Sequence, residues 1–135
     1  MEISKSIDIA ASGMAAQSER LKIIAQNIAN ADSLASQPGG DPYQRKTISF
    51  KHVLDRQTGA DKVMVDKVGT DSAPFPRKLD PSNPLAGPDG YVQTPNVNML
   101  VEMTDMKEAK NAYEANLTVI DTSKSMVAQT LNLLR

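Results

Sequence analysis

The chain carries one imidazole, His52, and no cysteine. Thiolate catalysis, disulfides and cysteine-based zinc sites are therefore excluded, and a single His excludes a His-rich metal site. As a general base His52 would need a positioned partner and a nucleophile. Ser49 and Asp55 are near in sequence, but nothing in their spacing marks them, and His52 reads as a surface or strand-packing residue. The carboxylates Asp61, Asp66, Asp71, Asp80 and Asp89 crowd the middle of the chain. A glycosidase needs two carboxylates facing each other at a set distance in a cleft; so small a region, poor in aromatic side chains, does not suggest one. Asp89-Gly90 lacks the spaced oxygen ligands of an EF-hand loop. There is no Gly-rich phosphate loop and no GxSxG elbow. Arg45-Lys46 is a lone basic pair and reads as solvated. The expectation is a protein that is not an enzyme, with no catalytic, cofactor-binding or metal-binding residue and no cofactor.

The residue types that stand out are amides. In Ala25-Gln26-Asn27-Ile28-Ala29-Asn30-Ala31, two Asn three apart share a helix face. Asn tolerates the left-handed conformation that closes helices, so Asn30 reads as a C-cap. Asn27 stays open between capping and an amide contact to a neighbouring subunit.

Those amides need an element to hold them, and the Pro and Gly positions set its limits. All eight Pro lie between Pro38 and Pro95, and six of the seven Gly lie in the same span, Gly13 being the exception. Pro removes a donor and clashes with the preceding turn, so long helices fit only the two ends of the chain. Ile3, Ile7, Ala10, Met14, Leu21, Ile24 and Ile28 keep a 3-4 spacing, with Gln17 as the polar member. A helix over about 2–31 would be roughly 45 Å long. Gly13 is either a tolerated small residue or a point where another helix comes close. Met99, Met103, Met106, Tyr113, Leu117, Ile120, Val127, Leu131 and Leu134 repeat the spacing from residue 98 onward, with Lys110 and Lys124 as polar members. Asn98 or Asn96, following Pro95, supplies the N-cap.

Between the helices, Thr47–Val53 and Val63–Val68 alternate weakly and carry β-branched residues. Pro88-Asp89-Gly90 places Pro and Gly as a tight turn wants them, and predicts a hairpin from Leu79-Asp80 to Tyr91-Val92-Gln93. The expected fold is mainly α with a small β region. The long N- and C-terminal helices pair as an antiparallel coiled coil around a Pro/Gly-rich insert that contains a β-hairpin. The expected parts are 1–33, an N-terminal helix; 34–97, an extended linker and small β region; and 98–135, a C-terminal helix packing on the first. Ile3, Ile7, Met14, Leu21, Ile24, Ile28, Met103, Met106, Tyr113, Leu117, Ile120, Val127 and Leu131 are expected to pack the helices.

Composition restricts function further. Fifteen basic and sixteen acidic residues give a net charge of −1, which argues against gripping nucleic acid or anionic lipid through bulk charge. A membrane span needs about 20 mostly apolar residues, and the longest apolar runs are triplets such as Ile23-Ile24-Ala25. Glu2, Lys5 and Asp8 interrupt the place of a signal-peptide core. From Ala109 to Leu134 only Lys110, Glu114, Asp121 and Lys124 are charged, whereas a solvated coiled coil is charge-rich outside. More than one face of each helix is therefore expected to meet protein, with Gly13, Gln26, Asn27, Asn30, Asn111 and Asn116 as subunit-interface candidates.

The Ala25–Ala31 stretch after an amphipathic helix resembles the signature of bacterial flagellar rod and hook proteins. So do the C-terminal heptads. Asp41-Pro42-Tyr43-Gln44-Arg45-Lys46 and the run from Asp80-Pro81 through Pro88-Asp89-Gly90-Tyr91-Val92 to Pro95-Asn96-Val97-Asn98 resemble the family's proximal-rod members. Gln26, where Asn is common in the group, is a mild variation. The resemblance implies a structural subunit of the proximal rod of the basal body. Its helices would line an inner tube around an export channel, in a helical drive shaft that crosses the periplasm and transmits torque. It implies partners: copies of the chain itself, other rod proteins, the adaptor joining rod to export gate, and the type III export apparatus that carries subunits without a cleaved signal. Two other classes are a soluble coiled-coil adaptor or export chaperone, and an enzyme built in the middle region.

Overall fold

A computed structural model describes residues 2–134. Helix α1 spans Glu2–Ala29 and helix α2 spans Met99–Leu133. Between them lie strands β1 (Lys46–Asp55), β2 (Ala60–Thr70), β3 (Arg77–Leu79) and β4 (Tyr91–Gln93), in two separate two-stranded sheets, β1-β2 and β3-β4. The fold is mainly helical with a small β region.

Local chemistry sets the element boundaries. At the end of α1 the Asn30 side chain donates to the Gln26 carbonyl at 2.8 Å, and Ser33 Oγ donates to Asn30 Oδ1 at 3.0 Å. Asn30 therefore caps, but not by the left-handed route: among the described residues no non-glycine has a positive φ. Its amide reaches back to an orphan carbonyl of the last turn instead. At the start of α2 the choice falls on Asn98, whose Oδ1 accepts from the amides of Leu100 at 3.1 Å and Val101 at 3.4 Å. Asn96 is used elsewhere.

Strands β1 and β2 are longer than their β-branched stretches, because ladder bonds are backbone bonds and continue through polar residues such as Lys46 and Thr70. A four-residue connection allows only antiparallel pairing. The connection is held by the Asp55 carboxylate, which accepts from the Gln57 amide at 2.9 Å and binds Lys62 Nζ at 2.8 Å. Gly59 at φ 64° accepts the left-handed turn that closes it. Hydrogen bonding by Lys62, then by the Gln57 amide, lowers the Asp55 pKa to about 2.

The predicted β3-β4 hairpin is present, pairing Arg77 with Gln93 and Leu79 with Tyr91. Its connection is longer than a tight turn, residues 80–90, and the Pro88-Asp89 turn sits at the very end, against β4. Gly90 N donates to the Gly87 carbonyl at 2.9 Å and Gly87 N donates to the Tyr91 carbonyl at 3.0 Å. With Gly90 at φ 78°, this is a turn followed by a glycine bulge. Arg77 bonds Asp89 and stacks 5.0 Å from the Tyr91 ring centroid.

The chain divides into two compact units. The first holds α1 up to Leu21, Ile48–Lys67 and α2 from Lys107. Its covered positions are small: Ala10, Ala16, Ala60, Ala109 and Ser123. Here Gly13 proves to be a place of close approach, since a methyl added there would fall 2.8 Å from Asn116 Nδ2. Arg20 faces Glu108 at 3.6 Å, and Ser12 Oγ accepts from the Val63 amide at 3.2 Å. The second unit, Lys22–Thr47 with Val68–Met106, buries Ile23, Ile24 and Val92 around a polar centre.

Candidate functional site

That polar centre is assembled from three distant stretches of sequence. Asn27, in the last turn of α1 and two residues before its end at Ala29, is 1% exposed, and Glu102, in the first turn of α2, is fully buried at 0%. Asn27 Nδ2 donates to Glu102 Oε2 at 3.1 Å and to the Lys46 carbonyl at 2.9 Å. Asn27 Oδ1 accepts from Tyr43 Oη at 2.9 Å and from the Lys46 amide at 2.8 Å. Its amide is thus fully used inside the chain. Arg45 Nε donates to Glu102 Oε1 at 2.5 Å, while Arg45 also faces Asp71 at 3.6 Å and Asp105 at 3.7 Å. The segment is fastened from behind by Asn96, whose Oδ1 accepts from the Arg45 amide at 2.7 Å and whose Nδ2 donates to the Asp71 and Ala73 carbonyls.

This overturns the reading of Arg45-Lys46 as a solvated pair. Arg45 is mostly covered and faces three carboxylates, and Lys46 Nζ donates to Gln26 Oε1 at 3.0 Å. Burial works against the Arg45 charge, but the Glu102 bond and the charges of Glu102, Asp71 and Asp105 outweigh it, so its pKa rises. Burial first, then the Glu102 charge, raises the Tyr43 phenol. Sequence reasoning passed over Glu102 entirely. One signal was available: Glu102, Ala109, Asn116 and Ser123 recur every seven residues, a polar and small row beside the apolar one.

The second feature is a surface. On α1, the packing residues Ile3, Ile7, Met14, Leu21 and Ile28 are half-buried and Ile24 is buried. On α2, Met106, Tyr113 and Ile120 are half-buried, but Met103, Leu117, Val127 and Leu131 are exposed, Leu117 at 42% and Leu131 at 60%. Val119, Met126, Leu133 and Leu134 are exposed as well. Of the interface candidates, Gly13 meets Asn116 of its own chain, Asn30 caps α1, Gln26 takes Lys46, and Asn111 is exposed. His52 is exposed, 4.0 Å from Asp61. Among the described residues no group of three or more His, Cys, Asp or Glu could hold a metal ion, and no helix is long and apolar enough to cross a membrane.

Large apolar side chains left uncovered along one terminal helix mark a surface that meets other protein. Comparison with known proteins agrees. Residues 7–33 match the family model described as flagella basal body rod protein, and residues 89–133 match that of the flagellar basal body rod FlgEFG protein C-terminal. This defines the class: a flagellar rod protein, with a structural and not an enzymatic role. The chain is 47% identical to the flagellar basal-body rod protein FlgC of Agrobacterium fabrum, over 98% of this chain and 96% of that one. It is 41% identical to that of Salmonella typhimurium over 98% of both, and 39% identical to that of Borreliella burgdorferi over 100% and 99%. The chain belongs to the FlgC family of flagellar basal-body rod proteins, and its place is the rod of the basal body.

Proposed function

We propose that the chain builds the proximal rod, with its two terminal helices forming an inner tube around the export channel and its middle region lying outside them. The observation that carries this is the set of large apolar side chains on α2, Leu117, Val127, Leu131 and Leu133 among them, that its own chain leaves exposed. Burying a large aliphatic side chain contributes about 1.5–3 kcal/mol, so covering these with neighbouring subunits stabilises a shaft stiff enough to transmit torque. The neighbours are copies of the chain, other rod proteins and, at the base, the adaptor to the export gate. Subunits reach the periplasm through the type III export apparatus without a cleaved signal.

The functional parts are 1–33 and 98–135 as axial helices and 34–97 as the outer insert. The helices pair as an antiparallel coiled coil. In the first unit, Gly13 meets Asn116 and Arg20 meets Glu108, so numbers rise on one helix as they fall on the other. In the second, Asn27 meets Glu102. Among the amide candidates, exposed Asn111 is the one best placed for a neighbour, and Gln26, Asn27, Asn30 and Asn116 support the fold that presents it.

Leu117→Asp tests this surface. A charge there remains solvated in the single chain but is unpaired once covered. The purified variant should keep its helix content by circular dichroism, while cells carrying it should not swim. Normal swimming would contradict the packing proposed here.

A further inference from the structure

The buried polar centre does more than fill space, because its partners come from unequal sources. Four donors reach the Asn27–Glu102 pair from outside it or across it: Asn27 Nδ2 to Glu102, Arg45 Nε to Glu102, and the Tyr43 hydroxyl and Lys46 amide to Asn27. Three of these belong to residues 43–46. Without that segment Glu102 keeps a single neutral donor, and Asn27 Oδ1 keeps none of those it has. A carboxylate in that position is a buried charge without its counter-ion, which strongly disfavours the closed arrangement.

We propose that Asn27, Arg45 and Glu102 form an interlock, in which the last turns of α1 close on the first turns of α2 only when residues 43–46 are seated between them. The apolar neighbours do not impose this condition. Ile23 and Ile24 would bury themselves against any apolar partner, whereas Glu102 accepts burial only beside Arg45. The condition then extends to the β region. The Asp71 amide donates to the Arg45 carbonyl at 2.8 Å, and Asn96 ties the Arg45 amide to the carbonyls of Asp71 and Ala73. Seating Arg45 therefore also sets where β1 begins and where β2 ends. The helix ends and the strand ends of this unit become one cooperative element, and helices that meet before the middle of the chain is in place are rejected. The interlock is a property of the single chain and stands or falls apart from the rod assignment.

Hydrogen exchange measured by mass spectrometry on the full chain tests it, with three variants. In Arg45→Met the peptides covering 22–29 and 99–106 should exchange together, roughly a hundredfold or more faster than in the unaltered chain, because Glu102 is left uncompensated. Adding Glu102→Gln to Arg45→Met removes the buried charge and should recover most of that protection. A variant with Asn27→Leu, Arg45→Met and Glu102→Leu should protect both helix segments while residues 43–47 exchange independently and faster. Two results would overturn the proposal. One is protection of the helix segments unchanged in Arg45→Met. The other is a triple variant in which the helix segments and 43–47 still open as one unit.

Discussion

Tyr43 shows how one side chain reports on the buried centre. Its hydroxyl donates to Asn27 Oδ1, and burial together with the Glu102 charge raises its pKa above the ordinary 10.0. A group whose folded pKa is raised stabilises the fold fully below its unfolded value and ceases to do so as pH rises through the folded one. The contribution of Tyr43 is therefore complete below pH about 10 and is lost at more alkaline pH. Tyr43 should ionise late in an absorbance titration, and Tyr43→Phe should remove that late phase. Side chains that act on their own backbone neighbourhood were legible in the sequence: Asn30 as a cap, Asn98 as an N-cap and Gly90 as the residue with positive φ. The Asn27–Glu102 bond spans 75 residues of sequence, and no local rule pairs those two positions. Arg45 looked solvated for the same reason, since its three carboxylate partners lie far along the chain.

At the scale of elements, helix and strand identity followed from periodicity and from the confinement of Pro to the middle. The covered face of α2 did not. A heptad reading ranks apolar residues first and so selects Leu117 and Leu131. Within the chain, the buried α2 positions are Glu102, held by Asn27 and Arg45, and the small Ala109 and Ser123, on the side where Gly13 comes close to Asn116. Two rows run along this helix. One fits the chain to itself, and the other is apolar, half-buried at Met106, Tyr113 and Ile120 and exposed at Val127 and Leu131. Gln17, the polar member of the α1 seam, has its Oε1 buried without a hydrogen-bond partner, a cost the seam carries. The start of α2 depends on its cap. Asn98→Ala removes an acceptor for the amides of Leu100 and Val101 and should destabilise the chain by about 1 kcal/mol. Urea unfolding gives that figure directly, and faster hydrogen exchange confined to the first turn of α2 should accompany it.

For the whole molecule, the terminal segments and the middle are related differently to other proteins. The two family models cover residues 7–33 and 89–133 and leave the region between them unmatched, whereas the FlgC relatives match nearly the whole chain. The terminal segments thus carry the likeness to flagellar rod proteins at large, and the FlgC relatives match the middle as well. The resemblance was readable in sequence because the Ala25–Ala31 stretch and most of the C-terminal heptads lie within those matched segments. A clean deletion decides whether the protein builds the proximal rod, with basal bodies purified and imaged by electron microscopy. Loss of a proximal-rod subunit should leave basal bodies that keep the inner-membrane ring but lack rod and hook. Complete rods in the deletion strain would contradict it.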